Sequence, residues 1–321
     1  MIKSNITSKL IVVASLMLAF ASLAHGQTRT WVSGVGSDTN PCTRAAPCAT
    51  LSHAIAMTAV NGEVNCLDPI GSTGNMSITK SITIDCHEIF SANNPTGTAV
   101  LINFDLFAGT DVRKSVRLRN LNIQGVTSST RGIRVFSSVA VPDSEVHIED
   151  CLIDGTPGSP GRGIEDNRTG GGRLLITNTT IRNLSGAAIS HAPNSGSTRI
   201  DITVDNVRIY NCLFGIAITS GARLVVTNSV ISDSSSAALY ADGPLAASDL
   251  HANNLSLNNN ATAIQQGAGG TIRIANSQIT NSTVNGTVGT VFSYGNNRVF
   301  GNAGVTALTP VGIDSHSKGQ Q

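Results

Sequence analysis

The side chains in this sequence whose types and spacing could do chemistry together are Arg131, Arg134, Arg162, Glu165, Asp166 and His191. They fall on three successive segments that align on Ile133, Ile164 and Ile189. In that alignment Arg131 stacks on Arg162, Arg134 on Glu165, and Asp166 near His191. Asp154, Arg168 and Arg173 flank the region. Neighbouring strands bring such side chains within about 5 Å of one another. On one groove, the set would bind an acidic sugar and take the proton beside its carboxylate. Arg131, Arg134 and Arg162 would neutralise the carboxylate. His191 or an arginine would act as base, with Asp166 and Glu165 as the acidic members. The plainer alternative is a cross-strand ion pair between Arg134 and Glu165, worth under about 1 kcal/mol, with His191 facing water.

Such stacking needs a repeating element, and one is visible. Alternating apolar segments lead to an Asn or Asp, followed three positions later by a large apolar residue. The series is Asn120/Ile123, Asp150/Ile153, Asn178/Ile181, Asn206/Ile209, Asn228/Ile231, Asn254/Leu257, Asn276/Ile279 and Asn297/Phe300. A second apolar step follows most anchors, as in Gly132-Ile133, Gly163-Ile164, Ala188-Ile189, Gly215-Ile216, Ala238-Leu239 and Ala263-Ile264. Each unit holds two or three strands too short to bury anything alone, and stacking the units buries a continuous column. The fold predicted is all-β, a right-handed parallel β-helix. The recurrent Asn suits a tight bend, because it tolerates left-handed backbone and its amide can bond to the Asn of the next coil. A β-propeller is the alternative, but its blades need about 40 residues.

The stretch Pro47 to Val60 reads as one short helix capping the N-terminal end. Thr50 is its N-cap, Leu51, Ala54, Ile55 and Thr58 form its apolar stripe, and Asn61-Gly62 ends it. Residues 1–26 read as a secretory signal peptide. Lys3 and Lys9 precede and flank the apolar run Leu10 to Leu23, and Ala24-His25-Gly26 offers a cleavage site. The division expected is a signal peptide at 1–26, an entry loop and helix at 27–62, the β-helix at 63–303 and a tail at 304–321. Export places the chain in the periplasm or outside the cell, with no membrane span after cleavage.

The chain carries 21 basic and 20 acidic residues, a net charge of +1. That balance makes no electrostatic case for nucleic acid. Cys66 and Cys86 are 20 residues apart, about one minimal coil, which places them one rung apart and within disulfide range. Cys42–Cys48 is the second expected bridge, and Cys151 and Cys212 are expected as buried free thiols. No cysteine pair has close spacing with a His nearby, so no zinc site is expected. A calcium site is open to carboxylates in principle, but no three align on adjacent coils, and no cofactor is expected. His53, His87, His147 and His251 have no partner assignable from spacing, and His53 is placed on the exposed side of the helix.

Trp31 to Cys42, with its Val32-Ser33, Gly36, Asp38 and Asn40-Pro41, followed by Ala46-Pro47-Cys48-Ala49-Thr50 and the helix, resembles the entry of secreted pectate-lyase-like β-helix proteins. The later repeats resemble the generic coils of that superfamily. The resemblance implies the architecture but not an activity. Its enzymes carry Asp clusters with an Arg base, Asn-Thr-Asp with Gly-His-Gly, or paired Asp with Arg. Here Asn178-Thr179-Thr180 lacks the Asp and no Gly-His-Gly exists, so no catalytic residue is carried over. The readings left are a non-catalytic protein binding polysaccharide or a surface along its side, a diverged lyase or glycoside hydrolase acting on acidic glycans around Arg131 to His191, and a scaffold in a larger assembly. Oligomeric state is not legible.

Overall fold

A computed structural model of the protein describes residues 26–70, 75–86, 97–126, 131–155, 161–193, 199–304 and 307–311. The expected leader, apart from Gly26, and most of the tail lie outside these, as does His87. The chain winds into stacked coils, and the strands pair in parallel with their counterparts one coil away. One face is a 12-stranded sheet running from Gln27–Val32 to Thr309–Pro310. A 15-stranded sheet supplies the other two. The second face holds short strands such as Leu152–Gly155 and Val230–Ser232. The third holds Thr98–Asn103, Arg131–Ser137, Arg162–Arg168 and Ala237–Ala241. Thr180–His191 and Arg208–Ile218 run from the second face into the third.

Period-two alternation decides what is inside. On the first face, Leu118, Ile148, Ile176, Val204, Val226, Ala252 and Ile274 stand in register and are buried. On the second, Ile123, Ile153, Ile181, Ile209, Ile231, Leu257 and Ile279 form the corresponding column. Each such aliphatic side chain contributes about 1.5–3 kcal/mol by leaving water. The Gly-Ile step marks the third-face entry, where coils approach closely. A Cβ on Gly163 would sit 2.3 Å from the carbonyl oxygen of Ala188.

Left-handed backbone makes the corner between the first and second faces. Asn120, Asp150, Asn178, Asn206, Asn228, Asn254 and Asn276 have φ between 50° and 58°. Their amides climb from coil to coil, with Asn178 Nδ2 donating to Asp150 at 3.0 Å and Asn206 Nδ2 to Asn178 at 2.8 Å. A second ladder, not anticipated from the sequence, turns the next corner five residues on. Asn183, Asn211, Asp233, Asn259 and Asn281 are also left-handed, and Asn211 Nδ2 donates to Asn183 at 3.0 Å.

Three expectations are corrected. The last anchor is Asn296, with φ 58°, and Val299 rather than Phe300 continues the Ile279 column. Asn297 instead accepts from Ser277 N and donates to the Ile274 carbonyl. The helix spans only Leu51–Met57. Thr58 leaves it in extended conformation, its hydroxyl donating to the Ala54 carbonyl, and Thr58–Cys66 is a strand. Thr50 is the N-cap as expected, accepting from His53 N at 3.2 Å. Finally, the entry segment contributes a rung, because Gln27–Val32 pairs with Thr58–Cys66. The bridges Cys66–Cys86 and Cys42–Cys48 are formed, and Cys151 and Cys212 are buried free thiols. Burial pushes each of these two thiols up to about 12.

Candidate functional site

The expected stacking is the observed register on the third face. Arg162 pairs with Arg131, Glu165 with Arg134, and Asp166 with His191. The six residues do not, however, share one groove. Ile164 points inward, so Asp166 and Arg168 on the same strand point inward with it, as does His191, two residues after Ile189. Glu165 points outward.

Outside, Glu165 is enclosed by arginines. Arg131 Nε and Arg162 Nη1 each bond one of its carboxylate oxygens, and Arg134 Nε lies 3.8 Å away. Glu165 has no exposed side-chain surface, while Arg131, Arg134 and Arg162 remain 30%, 28% and 46% exposed. Three guanidinium groups face one carboxylate, so two positive charges are left over at the surface. Arg134 is held by Asn167 Oδ1 at 2.9 Å and lies 5.0 Å from the centre of the Phe136 ring. Burial and then Arg131 lower its pKa, Glu165 opposes them, and Arg162 lowers it further. This guanidinium is therefore short of counter-charge.

A groove of about 350 Å³ adjoins this cluster and shares Arg162 with it. Its floor is of small residues, among them Gly186, Ala187, Ser190 and Ala217. One wall carries Phe214 and Tyr240, from consecutive coils, with ring centres 5.5 Å apart. The hydroxyl oxygens of Ser185 and Ser190 are buried at its edge and have no protein hydrogen-bond partner. Among the described residues that line the groove there is no Asp, Glu or His, but the Tyr240 hydroxyl donates to Asp242 Oδ2 at 2.9 Å. Its signal was the column of small residues between Arg162 and Tyr240, legible only once the register was known.

Inside, Asp166 and Arg168 form a fully buried pair. Arg168 Nη2 lies 2.6 Å from Asp166 Oδ2, and Arg168 Nη1 donates to the Ser144 hydroxyl at 2.7 Å. Burial opposes ionisation of Asp166, but Arg168, through its charge and its hydrogen bonds, outweighs it. The carboxyl is held below the usual carboxylate range. His191 is fully buried, and neither ring nitrogen has a well-formed hydrogen bond. Burial pushes its pKa down; Asp166 pulls it up and Arg168 down again. The imidazole is neutral at pH 7. Its expected position in an open groove is not the observed one, nor is that of Asp166, because both sit on the aliphatic side of the wall.

Two other histidines, His147 and His251, have acidic neighbours that spacing did not disclose. On the outer first face, His147 lies between Glu145 at 3.3 Å and Glu149 at 3.5 Å, and His251 lies 3.1 Å from Asp249. Asp154 pairs with Arg182, and Arg173 with Glu145. The column Glu145, Arg173, Asp201, Arg223, Asp249 alternates in sign at every rung. Such a ladder neutralises itself.

The model of the right-handed β-helix region family matches residues 131–306. That is more than half the chain, and the protein belongs to this family. No curated protein sequence matches it. Among solved structures it is similar to a rhamnogalacturonan lyase at 13% identity, over 88% of this chain and 84% of that one, with a TM-score of 0.42. Among the described residues, no helix is long and apolar enough to cross a membrane.

Proposed function

We propose that the protein is an exported, non-catalytic binder of acidic polysaccharide, and that the third face is its binding surface. The observation that carries this reading is the position of Arg162. It belongs both to the arginine cluster with its surplus charge and to the groove walled by Phe214 and Tyr240. Sugar rings present apolar faces that stack on aromatic rings, and uronate carboxylates pair with guanidinium groups. The leader read from the sequence and the two disulfides support export.

The test is affinity electrophoresis of the mature chain in gels containing polygalacturonate or dextran, with absorbance of unsaturated uronate followed in parallel. Retardation by polygalacturonate alone, weakened at least tenfold in Arg162→Ala and in Phe214→Ala, is the expected result. Equal retardation by dextran, or none by either polymer, overturns it. Product formation would move the reading to a lyase.

A further inference from the structure

Another cavity opens on the outer side of the first face, which is not the face of the arginine cluster around Glu165. Its volume is about 150 Å³, and Thr83, Arg113, Ser115, Arg117, Glu145 and His147 line it. Thr83, Arg117 and His147 stand one above another on three successive rungs. They point outward, because the next residues along, Ile84, Leu118 and Ile148, are buried. Ser115 pairs with Glu145 two residues earlier on the rungs of Arg117 and His147, and Arg113 comes from the loop that leads into Ser115–Arg119.

The cavity lies where the alternation of charge on this face begins. Glu145 has Arg173 on one side, 4.0 Å away, but Ser115 on the other. Glu149 is shared by Arg119 at 3.2 Å and Arg117 at 3.5 Å, and Asp85 lies 3.4 Å from Arg119. Arg113 is exposed and enters no ion pair or hydrogen bond among the described residues. Four arginines, Arg113, Arg117, Arg119 and Arg173, thus face three carboxylates, Asp85, Glu145 and Glu149, and one positive charge is left over. On the later rung Glu145 Oε1 and His147 Nε2 lie 3.3 Å apart, and His147 Nδ1 is buried without a hydrogen bond.

We propose that this cavity is a binding site for a small hydroxy acid with a single carboxylate. Arg113 and Arg117 would hold the carboxylate, whose two oxygens match the fork of a guanidinium group. Ser115, Glu145 and His147 would take the hydroxyls, since a carboxylate accepts from a hydroxyl and an imidazole either donates or accepts. One surplus positive charge suits one negative charge. A dianion such as phosphate would meet Glu145 as a like charge, which selects against it. The space equals that of about five waters at liquid density, so it takes one small molecule and no run of polymer. The site is separate from the third-face surface, and neither reading depends on the other.

The experiment is isothermal titration calorimetry of the mature chain at low ionic strength and about pH 8, where phosphate is mainly the dianion. The probes are glycerate, propionate (a carboxylate without hydroxyls), glycerol (hydroxyls without a carboxylate) and inorganic phosphate. The expected result is saturation by one glycerate per chain, at least fivefold tighter than any of the other three. Arg113→Ala and Arg117→Gln each weaken glycerate at least tenfold, and Glu145→Gln loses the preference over phosphate. Circular dichroism confirms that each variant is folded. No saturable binding of glycerate overturns the proposal, as does equal affinity for propionate, glycerol or phosphate. Weakening in Arg162→Ala but not in Arg113→Ala would put the acid on the third face and overturn it as well.

Discussion

Glu165 and Asp166 are adjacent in the chain, and the wall of the coil runs between them. Glu165 meets Arg131, Arg134 and Arg162 on the outside, while Asp166 meets Arg168 in the interior. One peptide bond thus separates a surface charge cluster from a buried ion pair, because successive strand side chains point to opposite faces. The two carboxylates answer to different tests.

Replacing Glu165 by Gln removes the counter-charge of three arginines and leaves three surplus positive charges instead of two. Affinity for polygalacturonate is expected to rise severalfold while the urea midpoint falls, and added salt is expected to erase the gain. Affinity electrophoresis at low and high salt reads the first effect, and urea unfolding reads the second.

Asp166 cannot lose its partner cheaply. Arg168→Met strands a fully buried carboxylate, at a cost of about 3–5 kcal/mol. Replacing both residues, as Asp166→Leu with Arg168→Met, is expected to recover most of that loss, since two uncompensated groups then become apolar. A double-mutant cycle by urea denaturation measures the difference. A loss in the double variant equal to the sum of the losses in Asp166→Leu and Arg168→Met alone would show that the pair is not coupled.

His191 makes stability depend on pH. Burial lowers its pKa in the folded chain below the ordinary value of about 6.5. Between those two values the unfolded chain binds the extra proton, so stability rises with pH there. The contribution is complete above about pH 6.5 and is lost as pH falls from there toward the folded value. Asp166 acts in the same direction but lower, below the ordinary carboxylate value of about 3.9, because its folded pKa is also depressed. His191→Gln is expected to flatten the decline in melting temperature between pH 7 and pH 5. An unchanged slope would assign the acid sensitivity to other groups.

The asparagine ladder separates strain from hydrogen bonding. Asn206 has φ 51° and donates to Asn178 at 2.8 Å. Asn206→Ala keeps the left-handed backbone without the amide, at a cost of about 1–2 kcal/mol for the backbone and ~1 kcal/mol for the bond. Asn206→Gly removes the backbone strain and is expected to lose less. Thermal unfolding of the two variants gives the order, and a Gly variant weaker than the Ala variant would refute it.

Much of this architecture is written locally. The spacing of Asn178, Asn206 and Asn228, each with an aliphatic residue three positions on, identifies both the corner and the inward column, because only left-handed backbone turns that tightly. Alignment on Ile133, Ile164 and Ile189 placed Arg131 on Arg162, Arg134 on Glu165 and Asp166 on His191, as observed. The same alternation carried the side on which each residue stands: Asp166 and His191 share the parity of the isoleucines, and reading them as groove residues passed over it. The second ladder follows the Ile181 column by two residues at every coil, but its members sit among many other Asn and Ser residues, and the first anchors alone were read as the turn.

By itself, then, the amino-acid sequence determined the repeat, the hand of its corners, the rung partners and the two bridges, since each follows from short-range spacing. Tertiary structure alone decided the rest. It set how far Arg131, Arg134 and Arg162 close over Glu165, and it brought Phe214 and Tyr240 together beside them. It also placed His53 against Cys42 and Cys48. These are contacts between side chains whose separation depends on coil length, corner angle and the direction in which a short helix leaves its cap. Such quantities are sums over many residues, and no single spacing records them.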